Sequence, residues 1–130
     1  MSVTVGMKAR VEDIVTPDNT AIRAGSGTLS VFATPHMCAL MEKAAWMAIS
    51  PALNDGDSSV GTKLNISHLS ATPIGLKVWA ESEVTLVDGK RIEFKVTAGD
   101  EKGLIGEGTH ERFVVTNERF LAKAARKLED

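Results

Sequence analysis

An acidic side chain within an apolar segment is the feature of this sequence with the clearest capacity for chemistry. Glu42 lies in the segment 31–49, which has apolar residues on nearly every side of the helix it is expected to form. At about 100° per residue, that helix places Glu42 beside Cys38 and Trp46. A carboxylate in such surroundings is costly unless it is paired, hydrogen-bonded or used in a reaction. Glu42 is therefore the first functional candidate, and a structural acid is the alternative.

Two further polar side chains occupy positions that suit a reaction. Thr34 precedes Pro35 at the expected start of the helix, where its hydroxyl can cap the helix or meet a reacting group at the positive end of the helix dipole. His68 falls on the apolar side of an alternating segment, so it is either a hydrogen-bonded core residue or a group that exchanges protons. Taken singly, each residue has a sufficient structural explanation.

Other kinds of site find little support in the sequence. Cys38 is the only cysteine, so no intrachain disulfide can form, and beside Glu42 it is expected to be a small buried residue with a raised thiol pKa. His36 and His110 show no metal-ligand spacing with His68, and no His-Glu-x-x-His or Cys-x-x-Cys pair occurs. We expect neither a metal ion nor an organic cofactor.

Composition narrows the classes of partner and location. The 130 residues suit a single domain over 1–130, with 43% hydrophobic and 25% charged residues. A net charge of −2 provides no basic surface for nucleic acid or an anionic membrane. No segment is long and apolar enough to span a bilayer, and the first residues lack the pattern of a secretion signal. The lone cysteine makes the cytoplasm the expected location.

The central helix must position the candidate residues, and its ends are well signalled. Thr34 is predicted as its N-cap and Pro35 as its first residue, and Ser50-Pro51 ends it. A helix that is apolar nearly all round is normally buried. Before it, the segments 8–15 and 20–23 are predicted as short strands, the first of them at a sheet edge.

Hydrophobic alternation predicts four strands after the helix. The segments 77–87 and 104–115 are the longest, and Asp88-Gly89 indicates a hairpin between the second strand and the third. Gly106 and Gly108 indicate a bulge or a close backbone approach in the last strand. On the first of the four strands, one face is predicted to carry Val60, Thr62, Leu64, Ile66 and His68.

An apolar stripe near the end of the chain predicts a C-terminal helix that starts at Thr116 or Asn117. Hairpin connections between the later strands favour an antiparallel sheet. The class of fold is therefore α+β.

Seven short motifs in order carry a resemblance to a known family. Together they resemble the small hotdog-fold thioesterases of the fluoroacetyl-CoA thioesterase type, over about residues 5 to 115. The motifs are GSG at 25–27, VFATPHM at 31–37, EKAA at 42–45, VGT at 60–62, HL at 68–69, ATPIG at 71–75 and HER at 110–112.

The resemblance implies a hotdog fold, in which an antiparallel sheet wraps around one central helix. It implies hydrolysis of an acyl-CoA thioester by a homodimer or higher oligomer, without metal or cofactor. Thr34, Glu42 and His68 match the family's catalytic positions. Whether Glu42 attacks the thioester or activates a water is left open, as is the acyl group.

Three further residues are expected to bind the substrate. The resemblance implies that the backbone at Gly61 lines the reacting centre and that Arg112 meets the coenzyme A moiety, although Arg112 could also be a solvated strand residue. Phe32 is expected to border the acyl pocket. Two other functions stay open: an enoyl-CoA hydratase, and a non-catalytic protein that binds or senses acyl-CoA.

Helix geometry adds one expectation about the site. Thr34 and Glu42 are eight residues apart, which is about 12 Å along a straight helix. Side chains of this length do not meet across that distance, so we expect each site to be shared between two chains.

Overall fold

A computed structural model of the chain, which describes all 130 residues, contains one antiparallel sheet of five strands. The order of strands across the sheet is β1-β3-β4-β5-β2. The sheet wraps around helix α2, so the predicted α+β class and hotdog arrangement are confirmed. The strands are β1 (Lys8–Ile14), β2 (Asp57–His68), β3 (Lys77–Asp88), β4 (Arg91–Asp100) and β5 (Gly103–Thr116), and the helices are α1 (Ala21–Ala24), α2 (Thr34–Ile49) and α3 (Asn117–Ala125).

One face of α2 forms the core with the sheet. Ala44 and Ala45 are fully buried on that face, and their small side chains let the helix lie close to the strands. The larger side chains of Met37, Met41 and Ile49 are also fully buried, each contributing roughly 1.5–3 kcal/mol through removal of apolar surface from water. The sheet side of this core includes Val78, Ala80, Val84, Phe94 and Val96.

Helix α2 is buried against the sheet, as predicted, but its opposite face is not covered by the chain. Trp46 is 43% exposed and Met47 is 40% exposed. Apolar residues on every side predict burial, but the pattern does not say whether the chain's own sheet covers each side.

The start of α2 differs from the prediction by one residue. Ala33 is the N-cap, since its carbonyl accepts the bond from the Met37 N–H at 2.9 Å, and Thr34 is the first helical residue. No side chain caps this helix. The Thr34 hydroxyl does not cap the helix, because it is hydrogen-bonded to His68 on β2.

The segment 20–23, predicted as a strand, forms the short helix α1 with its N-cap. Thr20 Oγ1 accepts a bond from the Arg23 N–H at 3.4 Å, and Gly25 ends the turn with a φ of +72°. Local capping at both ends outweighed an alternation of only four residues. The connection from α1 to α2 is held by hydrogen bonds such as that from the Ala21 N–H to the Val31 carbonyl, at 2.9 Å.

Strand β2 contains a bulge at Thr62 that sequence alternation did not predict. Gly61 pairs with Arg112 and Lys63 with Glu111, so Thr62 has no partner in the ladder. Val60, expected to share a face with His68, instead pairs with an outward residue of β5. The inward residues of β2 are Ser59 and Gly61 before the bulge and Leu64, Ile66 and His68 after it.

The other predictions about the strands hold with small shifts in position. The β3–β4 hairpin has Gly89-Lys90 as its loop, one residue later than expected, and Gly89 has a φ of +61°. The predicted close backbone approach is found at Gly108, where a Cβ would lie 2.1 Å from the Asn65 carbonyl oxygen.

Helix α3 starts at Asn117, as predicted, but Phe120 and Leu121 on its stripe are 40% and 65% exposed. No helix of the chain has the length and hydropathy needed to cross a membrane.

Candidate active site

The first group of candidate residues joins the start of α2 to the end of β2. Thr34 Oγ1 lies 2.7 Å from His68 Nδ1, so the hydroxyl and the imidazole share a hydrogen bond. Burial lowers the pKa of His68, opposed in part by the backbone at Ser70, which favours the neutral ring near pH 7. His68 Nε2 is buried and has no hydrogen-bond partner within the chain. The exposed Thr34 hydroxyl is therefore the member of the pair that a substrate can reach.

A pocket of about 290 Å³ lies against this pair. Val31, Phe32 and Leu69 form apolar parts of its wall, and Thr34 and His68 also line it. The Phe32 side chain is 2% exposed, so it forms part of the wall beneath the surface. An apolar pocket with a few polar groups is the usual form of a small-molecule site.

The second group surrounds Glu42, two turns further along α2. Glu42 Oε2 lies 3.6 Å from Arg112 Nη1, and the Glu42 side chain is 43% exposed. A Cβ on Gly61 would lie 2.6 Å from the same carboxylate oxygen and 3.2 Å from the ring of His110. Gly61 thus leaves free the space that the Glu42 carboxylate occupies.

Arg112 is held within the chain on several sides. Its Nε donates to Ser59 Oγ at 2.7 Å and its Nη2 donates to the Ser59 carbonyl at 2.8 Å. The side chain is 7% exposed. Burial lowers its pKa and Glu42 acts against this change, although an arginine keeps its charge in either case. That Arg112 meets coenzyme A stays a prediction, and its burial favours a role in holding Glu42.

His110 also belongs to this group, although no role was predicted for it from the sequence. It is 2% exposed, its Nδ1 lies 2.7 Å from the Lys63 carbonyl oxygen, and its ring stacks on Phe94 at a centroid distance of 5.8 Å. Arg112 Nη1 lies 3.2 Å from its Nε2. Strand alternation could have found it, because a residue two positions before Arg112 shares the same face.

The two groups do not meet within one chain. The structure brings Thr34 to His68, and it brings Gly61 and Arg112 to Glu42. Both groups start from α2, about 12 Å apart along its axis.

No group of three or more His, Cys, Asp and Glu side chains is arranged to hold a metal ion. Burial raises the pKa of Cys38, and the charge of Glu42 adds to the effect, as expected.

Comparison with known proteins identifies the family of the chain. The model of the fluoroacetyl-CoA-specific thioesterase family matches residues 15–118. The chain belongs to this family. The predicted class of enzyme, a thioester hydrolase, is thereby confirmed.

Individual members of the thioesterase family are similar over most of the chain. A fluoroacetyl-CoA thioesterase of Streptantibioticus cattleyicolor is 44% identical over 97 residues, which is 75% of this chain and 70% of that protein. A solved structure of the thioesterase FlK is 36% identical with a TM-score of 0.92, covering 98% of both chains. A mutant of FlK solved with fluoroacetate and CoA is 36% identical with a TM-score of 0.83, covering 91% of this chain and 99% of that one.

Proposed function

We propose that this chain hydrolyses acyl-CoA thioesters at a site shared by two chains, with Thr34 and His68 from one and Glu42 from its partner. The observation that carries the proposal is the Thr34–His68 hydrogen bond of 2.7 Å at the amino end of α2. That pair is separated from Glu42, the remaining candidate, by two turns of the same helix. The similarity to a protein solved with fluoroacetate and CoA supports acyl-CoA as the class of substrate.

Two uncovered features of the chain suit a symmetric dimer. Strand β2 lies at an edge of the sheet, and its outer side has no neighbouring strand. Trp46 and Met47 are large apolar residues on the face of α2 that the sheet leaves uncovered, and the half-exposed Glu42 lies at the border of that face. If two chains packed around a two-fold axis with their β2 edges and the uncovered faces of α2 together, the Glu42 of each chain would lie toward the Thr34 of the other.

The proposed mechanism uses the amino end of α2, the Glu42 carboxylate and the Thr34–His68 pair. The amino end of α2 and nearby N–H groups favour the negative charge that develops on the thioester oxygen. Glu42 attacks the carbonyl carbon or removes a proton from the attacking water. The carbon–sulfur bond then breaks, and its electron pair leaves on sulfur as the CoA thiolate. Where water attacks, the free acid forms directly, and the proton taken up by Glu42 passes to the thiolate or to solvent. Where Glu42 attacks, the acyl group stays on its carboxylate as an anhydride, which water then hydrolyses to the free acid. Thr34 and neutral His68 bind and orient the reacting group through their shared hydrogen bond.

Release of free thiol from a panel of acyl-CoA thioesters tests this function. We expect turnover of at least one short-chain or substituted acetyl thioester, followed with a colorimetric thiol reagent. Glu42→Gln should lose this activity, and Glu107→Gln is its matched control, since Glu107 is an exposed acid with no ion pair. Binding of CoA without any thiol release would instead support a non-catalytic acyl-CoA binder.

A further inference from the structure

A buried histidine beside Glu42 has no part in the mechanism proposed above. His110 is 2% exposed and connects three elements around the carboxylate. Its Nδ1 is 2.7 Å from the Lys63 carbonyl on β2, and its Nε2 is 3.2 Å from Arg112 Nη1 on its own strand. The same Arg112 nitrogen lies 3.6 Å from Glu42 Oε2 on α2.

The partners of His110 fix its tautomer. The Lys63 carbonyl can only accept, so Nδ1 must carry the proton and donate it. Arg112 Nη1 can only donate, so Nε2 must be the bare nitrogen that accepts. Each ring nitrogen thus has one partner of the correct kind, and the ring is neutral. Stacking on Phe94 holds the plane of the ring.

We propose that neutral His110 is a positioning residue for hydrolysis, because its Nε2 holds Arg112 so that Nη1 stays against the Glu42 carboxylate. This inference rests on the catalytic role proposed for Glu42. His110 does not contact the reacting atoms; it acts through Arg112. The other bonds of Arg112, both to Ser59, leave Nη1 as the nitrogen shared between His110 and Glu42.

Protonation of His110 would remove this support. A proton on Nε2 would turn the acceptor into a donor facing the Arg112 N–H, and two cations would then be in contact. The charged groups around the ring are Arg112 on the same strand, Glu42 on α2 and Glu111 beside it on β5. From β2 the ring meets the Lys63 carbonyl, and from β4 the uncharged Phe94. Burial and Arg112 both lower the pKa of His110, which keeps the ring neutral near pH 7.

Two substitutions separate positioning from packing. In His110→Gln, the amide oxygen can take the place of Nε2 and accept from Arg112, but the bond to Lys63 is lost. In His110→Asn, the amide nitrogen can replace Nδ1 and donate to Lys63, but Arg112 loses its acceptor. We expect kcat of the Gln variant within about threefold of wild type and kcat of the Asn variant lower by about tenfold or more, with KM little changed in both.

The pH dependence of kcat completes the test, together with nitrogen-15 NMR, which does not depend on activity. The acid-side loss of kcat in wild type should move to lower pH in His110→Gln, which has no imidazole to protonate. Nitrogen-15 NMR of the wild-type imidazole should show a proton on Nδ1 and none on Nε2. Equal kcat in the Asn variant and wild type, equal losses in both variants, or a proton on Nε2 would each overturn the proposal.

Failure of the proposed function gives a different result. If wild type released thiol from no acyl-CoA, Glu42 would have no catalytic role and the kinetic part of this proposal would fall with it. If wild type is active and Glu42→Gln is inactive, while His110→Asn is unaffected, only the role of His110 is refuted.

Discussion

One side of the Glu42 carboxylate faces residues of the sheet, and the other side is exposed to solvent. Arg112 contacts it at 3.6 Å and Gly61 leaves room for it, while 43% of its surface is exposed. The sequence predicted a carboxylate surrounded by apolar groups, for which desolvation would be costly. Partial exposure removes much of that cost, and the nearby guanidinium compensates for more. The result is a charged group that can be reached by a substrate.

Glu42→Gln should lower kcat by about 10²-fold or more, the usual scale for loss of a positioned base, and should leave the melting temperature nearly unchanged. Glutamine preserves the shape of the side chain but can neither attack nor accept a proton. Thiol release and thermal unfolding measure the two effects. Wild-type turnover in this variant would exclude Glu42 from the chemistry.

Gly61→Ala should reduce kcat while costing little stability. The added Cβ would lie 2.6 Å from Glu42 Oε2, which is the mobile end of a long side chain and can move away. The displaced carboxylate would no longer meet Arg112 as it does now. The kcat should therefore fall while the melting temperature changes little. Val60→Ala, one residue earlier on the outward face, serves as the control. A normal kcat would show that the Glu42 position is not critical.

Two histidines should make stability depend on pH. Burial sets the pKa of His68 and His110 below the ordinary 6.5. Below pH 6.5 the unfolded chain therefore binds more protons than the folded chain, so the free energy of unfolding falls as the pH drops from 6.5 toward the lowered values. Melting temperatures from about pH 7 to about pH 5.5 should decline, and less steeply in His110→Gln. Equal slopes would show that His110 is not buried as a neutral ring.

At the scale of elements, the sequence predicted long periodic segments well and short or interrupted ones poorly. The strands β3 and β5 and the start of α3 at Asn117 agree with prediction within one residue. Helix α1 was predicted as a strand because four residues do not establish a period, whereas the Thr20 cap and Gly25 decide the outcome. The bulge at Thr62 has no signature in alternation, since the residues on both sides of it continue an apparently regular pattern.

Gly108→Ala should be strongly destabilising, in contrast to Gly106→Ala on the same strand. A Cβ at 108 would lie 2.1 Å from the backbone oxygen of Asn65, so β2 and β5 would have to separate locally. A Cβ at 106 meets first the flexible Met37 side chain. We expect a loss of about 3 kcal/mol at 108 and about 1 kcal/mol at 106, measured by denaturant unfolding. Similar losses would show that the strands can adjust at both positions.

At the scale of the whole molecule, one chain does not bring the candidate residues Thr34 and Glu42 together. The resemblance identified Thr34, Glu42 and His68, and the helical rise of about 1.5 Å per residue predicted that Thr34 and Glu42 do not meet. The structure agrees on that separation. Alternation on β5 places His110 and Arg112 on one face, but their bonds to Lys63 and Ser59 could not be predicted, because these depend on how an unforeseen bulge sets β2 against β5.

Mixing two inactive variants tests the shared site. Glu42→Gln and Thr34→Ala should each be inactive alone. In a heterodimer with shared sites, one site carries both lesions and the other carries neither, so up to half of the wild-type activity per site should return. Thiol release is measured after reversible dissociation and mixing, with heterodimers quantified by native mass spectrometry. Confirmed heterodimers without activity would place the three residues in a single subunit.

The bulge at Thr62 also determines how this strand can change over evolution. Ser59 and Gly61 face inward before it, and Leu64 and His68 face inward after it. If the same residues of β2 alternated without the bulge, one of these two sets would turn to the outer face. Either Arg112 would lose Ser59, or the core would lose Leu64. Loss of Thr62 alone would keep both sets inward, whereas a one-residue insertion or deletion elsewhere in β2 would turn one set outward and should be almost absent from active relatives.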